Sequence, residues 1–164
     1  MNFGEILIYL NPLLVISAIY FGYKHIKLND NSNKKNFDTL LYVILSNHTL
    51  ILILLVYYFL KTDLRFEYVS DYSAEQLSLG YKLAGVWAGR DGTLLIWSWA
   101  TVLTLVCERF FHKEEDSQKE LTSLFGCMLL LSLCIIQLYI NPFRLNEDLP
   151  NIGNGLNPLL LSPY

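Results

Sequence analysis

Four long apolar runs, each separated from the next by a polar, charged or glycine-bearing stretch, set the pattern of this chain. The first runs from about Ile6 to Tyr23 and is interrupted by Asn11 and Pro12; the second, from about Thr39 to Leu60, carries no formal charge. The third covers about Thr93 to Phe111 and the fourth about Leu121 to Ile140. At ~1.5 Å of rise per residue such runs reach across a ~30 Å hydrocarbon core, the first only barely. The expected fold is therefore all-α and membrane-integral. Its spans fall at about 6–23, 39–60, 93–111 and 121–140, with an external loop at 61–92 and an external tail at 141–164. Pro12 should bend the first helix and leave a carbonyl that a neighbouring helix must satisfy. An N-terminus with Glu5 and no early Lys or Arg reads as a retained helix and not as a cleaved signal.

The polar stretches differ in kind. Lys24 to Asp38, KHIKLNDNSNKKNFD, is expected to be a solvated, mobile loop, and Glu108 to Glu120 a short charged loop whose role is solvation. The stretch from Tyr68 to Trp97 is richer. Within it, Trp87, Gly89, Arg90, Asp91, Gly92 and Thr93 put an aromatic anchor, two permissive glycines and a charge pair into one turn that opens onto the apolar run Leu94 to Val106. Glycine permits positive φ and close backbone approach, and Trp favours the water–hydrocarbon boundary, so a shaped loop resting on lipid or on another subunit is expected. The plain alternative is an aromatic belt with a tight turn. The tail has too little periodicity for a fifth helix. A disordered end is its simplest reading, yet Leu156, Leu159, Leu160 and Leu161 would be costly to leave in water, so something should cover them.

Composition supports a membrane class: 53% of the 164 residues are hydrophobic and 16% charged, with a mean hydropathy of +0.34. A net charge of −3 with dispersed basic residues gives no stripe for a phosphate backbone, so no nucleic-acid partner is expected. Lys24, Lys27, Lys34, Lys35, Arg109, Lys113 and Lys119 lie on one side of the four spans, and Lys61, Arg65, Lys82, Arg90 and Arg144 on the other. The positive-inside rule then puts both termini and the Tyr68–Trp97 stretch on the external face. Cys107, Cys127 and Cys134 show neither CxxC spacing nor nearby histidines, which favours buried thiols over a disulfide or metal site. His48 is the one ionisable group inside the second span and a candidate heme ligand, although Ser46, Asn47 and Thr49 could satisfy its ring locally. His25 and His112, at helix ends, are weaker candidates. No Ser-His-Asp set, phosphate-binding loop or carboxylate pair can be assembled, so no catalytic residue is assigned.

One resemblance adds to this. Asp63, Tyr68, Val69, Ser73, Tyr81, Lys82, Trp87, Gly92, Thr93, Leu94, Leu95 and Trp97 stand at the spacing of a box found in the N-terminal region of CcmF, the large membrane subunit of the cytochrome c heme lyase, and of its NrfE-type relatives. After the fourth span, Asn141, Pro142 and Phe143, then Gly153, Leu156, Asn157, Pro158, Leu159 and Leu160, resemble the family's next block. Arg90 and Asp91 replace the family's His-Glu, Ala88 stands for a glycine, Gly80 for a proline and Ile152 for an Asp. A fixed cation at Arg90 removes any acid–base role from that position. The family's His-Pro-Pro and tryptophan-rich "WWD" segment would follow beyond Tyr164, so the resemblance implies the first piece of a split or truncated CcmF that ligates no heme itself. It further implies an assembled complex that takes heme from a CcmE-type chaperone and joins it to the CxxCH thiols of apocytochrome c. The partners would be a WWD-bearing fragment, a CcmH-type protein and membrane lipid, in a bacterial, archaeal or mitochondrial inner membrane. The competing expectation is a fragment of a secondary transporter or respiratory-complex subunit, for which Pro12 is the candidate helix break.

Overall fold

The structure, a computed structural model, describes residues 1–111, 117–147 and 153–155. Among these it has six helices and no strand: α1 (Phe3–Leu28), α2 (Asn31–Lys61), α3 (Glu67–Tyr72), α4 (Leu79–Ala88), α5 (Arg90–Phe111) and α6 (Ser117–Tyr139). Helices α1, α2, α5 and α6 are long and apolar enough to cross a membrane, as the four runs predict, and the chain is an integral membrane protein. His112, Lys113, Ile152, Asn157, Pro158 and the leucines from Leu156 to Leu161 lie outside the described residues.

The helix ends show why Lys24 to Asp38 is not the mobile loop that its composition suggests. Asn2 and Glu5 open α1 with a reciprocal capping box, Glu5 N donating to Asn2 Oδ1 at 3.0 Å and Asn2 N to Glu5 Oε2 at 2.9 Å. The helix runs on to Leu28 and stops where Asn29 turns left-handed (φ 49°), its N–H donating to His25 O at 2.8 Å. Asp30 then caps α2 by accepting from Ser32 N at 2.9 Å. Asn and Asp are poor helix-interior residues because their side chains compete for nearby backbone groups; at a two-residue corner the same property makes them caps. Pro12 does not break α1 either. Asn47 Nδ2 donates to Leu7 O at 3.0 Å, next to the Ile8 carbonyl that Pro12 leaves without its helical donor.

In the bundle, α1 is flanked by α2 and α6, and α5 packs against the same two from the opposite side. Two apolar cores fill it. One, nearer α3 and α4, gathers Leu7, Ile8, Ile51, Leu55, Phe59 and Leu95; the other gathers Val15, Phe37, Leu41, Ile44, Val102, Leu105 and Leu130. Between them lies a buried polar layer. Asn47 Nδ2 donates to Asn11 Oδ1 at 2.6 Å, His48 Nδ1 sits 3.0 Å from Ile44 O, and Asn11 Nδ2 sits 3.5 Å from His48 Nε2. On the other side Gln137 Nε2 donates to Ser98 Oγ at 2.7 Å and Leu94 O at 3.0 Å. In hydrocarbon, such pairs satisfy groups that have no water to turn to and fix how neighbouring helices meet.

The far end of the bundle corrects the reading of Glu108 to Glu120 as solvation alone. The Arg109 side chain is only 7% exposed. It donates to Asp38 Oδ1, to both oxygens of Glu120 (2.9 and 3.2 Å) and to Ser123 Oγ at 3.4 Å, and its guanidinium lies over the Phe37 ring.

Candidate functional site

The opposite end is where the recognised motifs meet. The expected loop 61–92 is instead largely helical: α3 and α4 lie across the bundle end, α4 against α2 and α5, and α3 against α4. Helix α2 ends at Thr62, left-handed at φ 51°, whose hydroxyl accepts from Lys82 Nζ at 2.6 Å. Asp63 follows, gripped by Arg65 at 2.8 and 2.6 Å; that guanidinium holds the Asp63 carboxyl below its usual range.

Tyr68 organises the α4–α5 corner. Its ring is buried and its hydroxyl accepts from Gly89 N and donates to Val86 O, each at 3.1 Å. Burial pushes the phenol up to about 12, so it remains a neutral donor through the physiological range. Thr93 Oγ1 completes the corner by donating to Gly89 O at 2.8 Å. Of the two reasons the sequence offers for a glycine at position 92, close approach is the one that holds. Gly92 is not at positive φ; a Cβ there would run into the Val86 carbonyl oxygen and come within 2.7 Å of the Tyr68 hydroxyl. Close approach, and not backbone handedness, excludes a side chain.

Asn141, Pro142 and Phe143 form a plug. Asn141 Oδ1 accepts from Phe143 N at 3.0 Å and turns the chain after α6, while Phe143 is fully buried against Tyr58 and Phe66. Gly4 admits it, since a Cβ on Gly4 would sit 2.5 Å from Phe143 Cγ. The chain then runs beside the start of α3. Glu67 N donates to Arg144 O and Asn146 N to Arg65 O, both at 2.9 Å, and Asn146 Nδ2 reaches Leu64 O at 2.8 Å. Farther on, Asn154 N donates to Ser70 O at 2.7 Å and Gly155 N to Ser73 O at 3.3 Å. The described tail is thus stitched to α3. Asn146 and Asn154 escaped the sequence reading because an asparagine in a Pro- and Gly-rich stretch looks like any turn residue.

The site residues fall into two groups. Tyr68, Ser73, Gly89, Gly92, Asn141, Pro142 and Phe143 are buried and shape the cap; Ser73 Oγ has no hydrogen-bond partner among the described residues. Tyr81, Trp87, Arg90 and Trp97 are exposed, with Lys82 and Asp91 between the two groups. Trp87 and Trp97, 55% and 65% exposed, flank an apolar groove with Thr93 and Ile96. The expected Arg90–Asp91 pair is loose, at 3.9 Å, with Arg90 swung outward. Between α3, the start of α5 and the Asn141 turn lies a cleft of about 420 Å³, lined by Glu67, Asp71, Asp91, Arg90, Arg144 and the Tyr72 and Tyr139 rings, among others.

His48 is fully buried with a partner at each ring nitrogen, Ile44 O taking the Nδ1 proton and Asn11 approaching Nε2, so its geometry is that of a satisfied core histidine. No cluster of three or more His, Cys, Asp or Glu suited to a metal ion occurs among the described residues.

No family model and no solved structure matches this chain. Curated proteins do. The cytochrome c-type biogenesis protein NrfE of Haemophilus influenzae is 34% identical over 114 residues, 68% of this chain and 18% of that protein. CcmF of the same organism is 29% identical over 110 residues, 65% of this chain and 17% of the relative. CcmF of Escherichia coli is 29% identical over 119 residues, 68% of this chain and 18% of the relative. These homologues are all CcmF/NrfE-type cytochrome c biogenesis proteins. The chain spans under a fifth of the length of these curated relatives. The CcmF/NrfE resemblance rests on two blocks of residues, and their described parts form two sides of one cap: Tyr68 and the Trp87–Thr93 corner on one, the Asn141–Phe143 plug on the other.

Proposed function

We propose that this chain is a subunit of a cytochrome c heme lyase, supplying a membrane bundle and a rigid external cap to a complex that attaches heme covalently to the CxxCH thiols of apocytochrome c. The observation that carries the reading is the similarity, over about two thirds of the chain, to proteins named for cytochrome c-type biogenesis. Heme is held by the assembled complex. The partners are a WWD-bearing CcmF fragment, CcmH- and CcmE-type proteins and the apocytochrome. The chain's own contribution is positioning: a cap fixed by buried hydrogen bonds holds docking surfaces in place, which is how a scaffold assists a reaction between two large partners. A transporter or respiratory-complex origin draws no support from these relatives, and α1 passes unbroken through Pro12, its one candidate break. Deleting the chain from its host should remove heme-stained c-type cytochromes while leaving b-type cytochromes in place. Unchanged c-type cytochromes would end the reading.

The orientation belongs to the same proposal. Lys24, Lys27, Lys34, Lys35, Arg109 and Lys119 sit at the end of the bundle away from the cap, against Lys61, Arg65, Lys82, Arg90 and Arg144 at the cap end, and this basic excess supports a cap on the external side of a bacterial, archaeal or mitochondrial inner membrane. In a Cys107→Ser background, an impermeant maleimide applied to intact cells should label Glu75→Cys, on the exposed α3–α4 connection, and leave Lys35→Cys unlabelled. Labelling of position 35 alone would invert the topology.

A further inference from the structure

The cleft beside α3 is mixed in charge, and that mixture is its most specific property. Glu67, Asp71 and Asp91 supply three carboxylates, and Arg90 and Arg144 two guanidiniums. Their commitments within the fold are partial. Arg144 Nη2 donates to Tyr139 O at 3.0 Å, Asp71 Oδ1 accepts from Asn154 Nδ2 at 3.1 Å, and Arg90 and Asp91 stay 3.9 Å apart. Tyr139, on the last turn of a membrane-spanning helix and 77% exposed, lines the cleft. The cleft therefore sits where a span leaves the hydrocarbon, at the depth of lipid headgroups.

We propose that this cleft binds the headgroup of a zwitterionic aminophospholipid of the phosphatidylethanolamine type. A purely anionic ligand would meet the three carboxylates, and a purely cationic one the two arginines. A phosphate and a primary ammonium joined by two carbons present both signs within a few ångströms, so each can face its complement. The arginines take the phosphate through charge-assisted hydrogen bonds, and the carboxylates take the three N–H donors of the ammonium. A volume of about 420 Å³ accommodates such a headgroup, and the acyl chains leave past Tyr139 and Ile140 into the bilayer. A choline headgroup carries the same charges but offers no N–H donors, so it loses the carboxylate hydrogen bonds.

The test is native mass spectrometry of the full chain released from vesicles of equimolar phosphatidylethanolamine, phosphatidylcholine and phosphatidylglycerol. One phosphatidylethanolamine should be retained per chain, at least tenfold over either competitor. The double substitution Glu67→Gln with Asp71→Asn, at two exposed carboxylates, should reduce that preference at least fivefold, and Arg90→Gln should reduce retention of all phospholipids. Far-ultraviolet circular dichroism of each variant checks that the bundle is intact. Equal retention of the three lipids, preferential retention of phosphatidylglycerol, or a preference unmoved by the double substitution in a folded chain would overturn the proposal. So would displacement of the lipid by a short lysine-rich peptide, which would assign the cleft to a polypeptide instead.

Discussion

Arg109→Ala is expected to destabilise the bundle by about 3 kcal/mol or more, read as a fall in the unfolding midpoint on titrating the detergent-solubilised chain with denaturant. The reason is geometric. Arg109 is buried, and it is the common donor for carboxylates brought in by two other helices, Asp38 on α2 and Glu120 on α6. Removing it leaves Glu120, whose side chain is 12% exposed, facing the His25 ring Nε2 at 4.0 Å. An unpaired buried carboxylate costs more than the ion pair itself was worth, so the loss exceeds what a surface bridge would give. Asp38, a third exposed, is partly rescued by water, which keeps the figure at the lower end. Loss of the cation–π contact with Phe37 adds to it. Combining Arg109→Met with Asp38→Asn and Glu120→Gln should recover most of the stability, because no charge is then stranded. A change below about 1 kcal/mol for Arg109→Ala would show that the cluster behaves as a surface network.

Gly92→Val is expected to abolish cytochrome c maturation in the host while the chain remains inserted at normal abundance. Its Cβ would fall on the Val86 carbonyl oxygen, and a backbone atom has no rotamer with which to move aside. Relief requires α4 and α5 to separate. That pulls Gly89 N and Val86 O from the Tyr68 hydroxyl, leaving buried polar groups unpaired at about 1–3 kcal/mol each on top of roughly 1–3 kcal/mol of overpacking. Gly92 stands in the first turn of α5, ahead of the apolar run Leu94 to Val106, so the loss falls on the cap. Gly80→Val is the matched control: a Cβ at Gly80 meets nothing within 4 Å, and maturation should persist. The readouts are heme-stained holocytochrome, immunodetection of the chain and protease sensitivity of the cap. Normal holocytochrome with an opened cap would reduce the Tyr68–Trp97 stretch to an aromatic belt.

The spans were legible because a 20-residue apolar run has few ways to be satisfied, and periodicity need not be resolved to see it. The short cap helices were not. α3 has six residues, Glu67–Tyr72, with Glu67 and Asp71 exposed among them, and nothing local distinguishes it from a loop; it is held by the strand-like contact with Arg144 and Leu145, more than 70 positions away in sequence. The Trp87–Thr93 motif is legible, but which of two reasons demands its glycine is not, since a glycine required by a neighbouring carbonyl and one required by positive φ look alike in sequence. Arg109 was assigned to solvent for a similar reason: a charge near a helix end is usually wet, and only the convergence of α2, α5 and α6 buries this one.

The polar layer between the two cores bears on how the chain enters its membrane. Its hydrogen bonds divide by birth order. Asn11, Asn47 and His48 serve one another within α1 and α2, and Ser98 serves Gln137 within α5 and α6; across the divide run the Trp99 Nε1 to Thr49 Oγ1 bond at 3.0 Å and the 4.0 Å approach of Cys134 Sγ to His48 Nε2. During synthesis the first hairpin emerges before α5 and α6 exist, and it can leave the translocon with its amides already partnered. The second hairpin carries its own hydrogen-bonded pair, Gln137 Nε2 to Ser98 Oγ, while Gln137 Oε1 has no partner among the described residues. Insertion can then proceed pair by pair, and the second pair, whose Trp99 Nε1 bonds to Thr49, finds that partner on a helix already made.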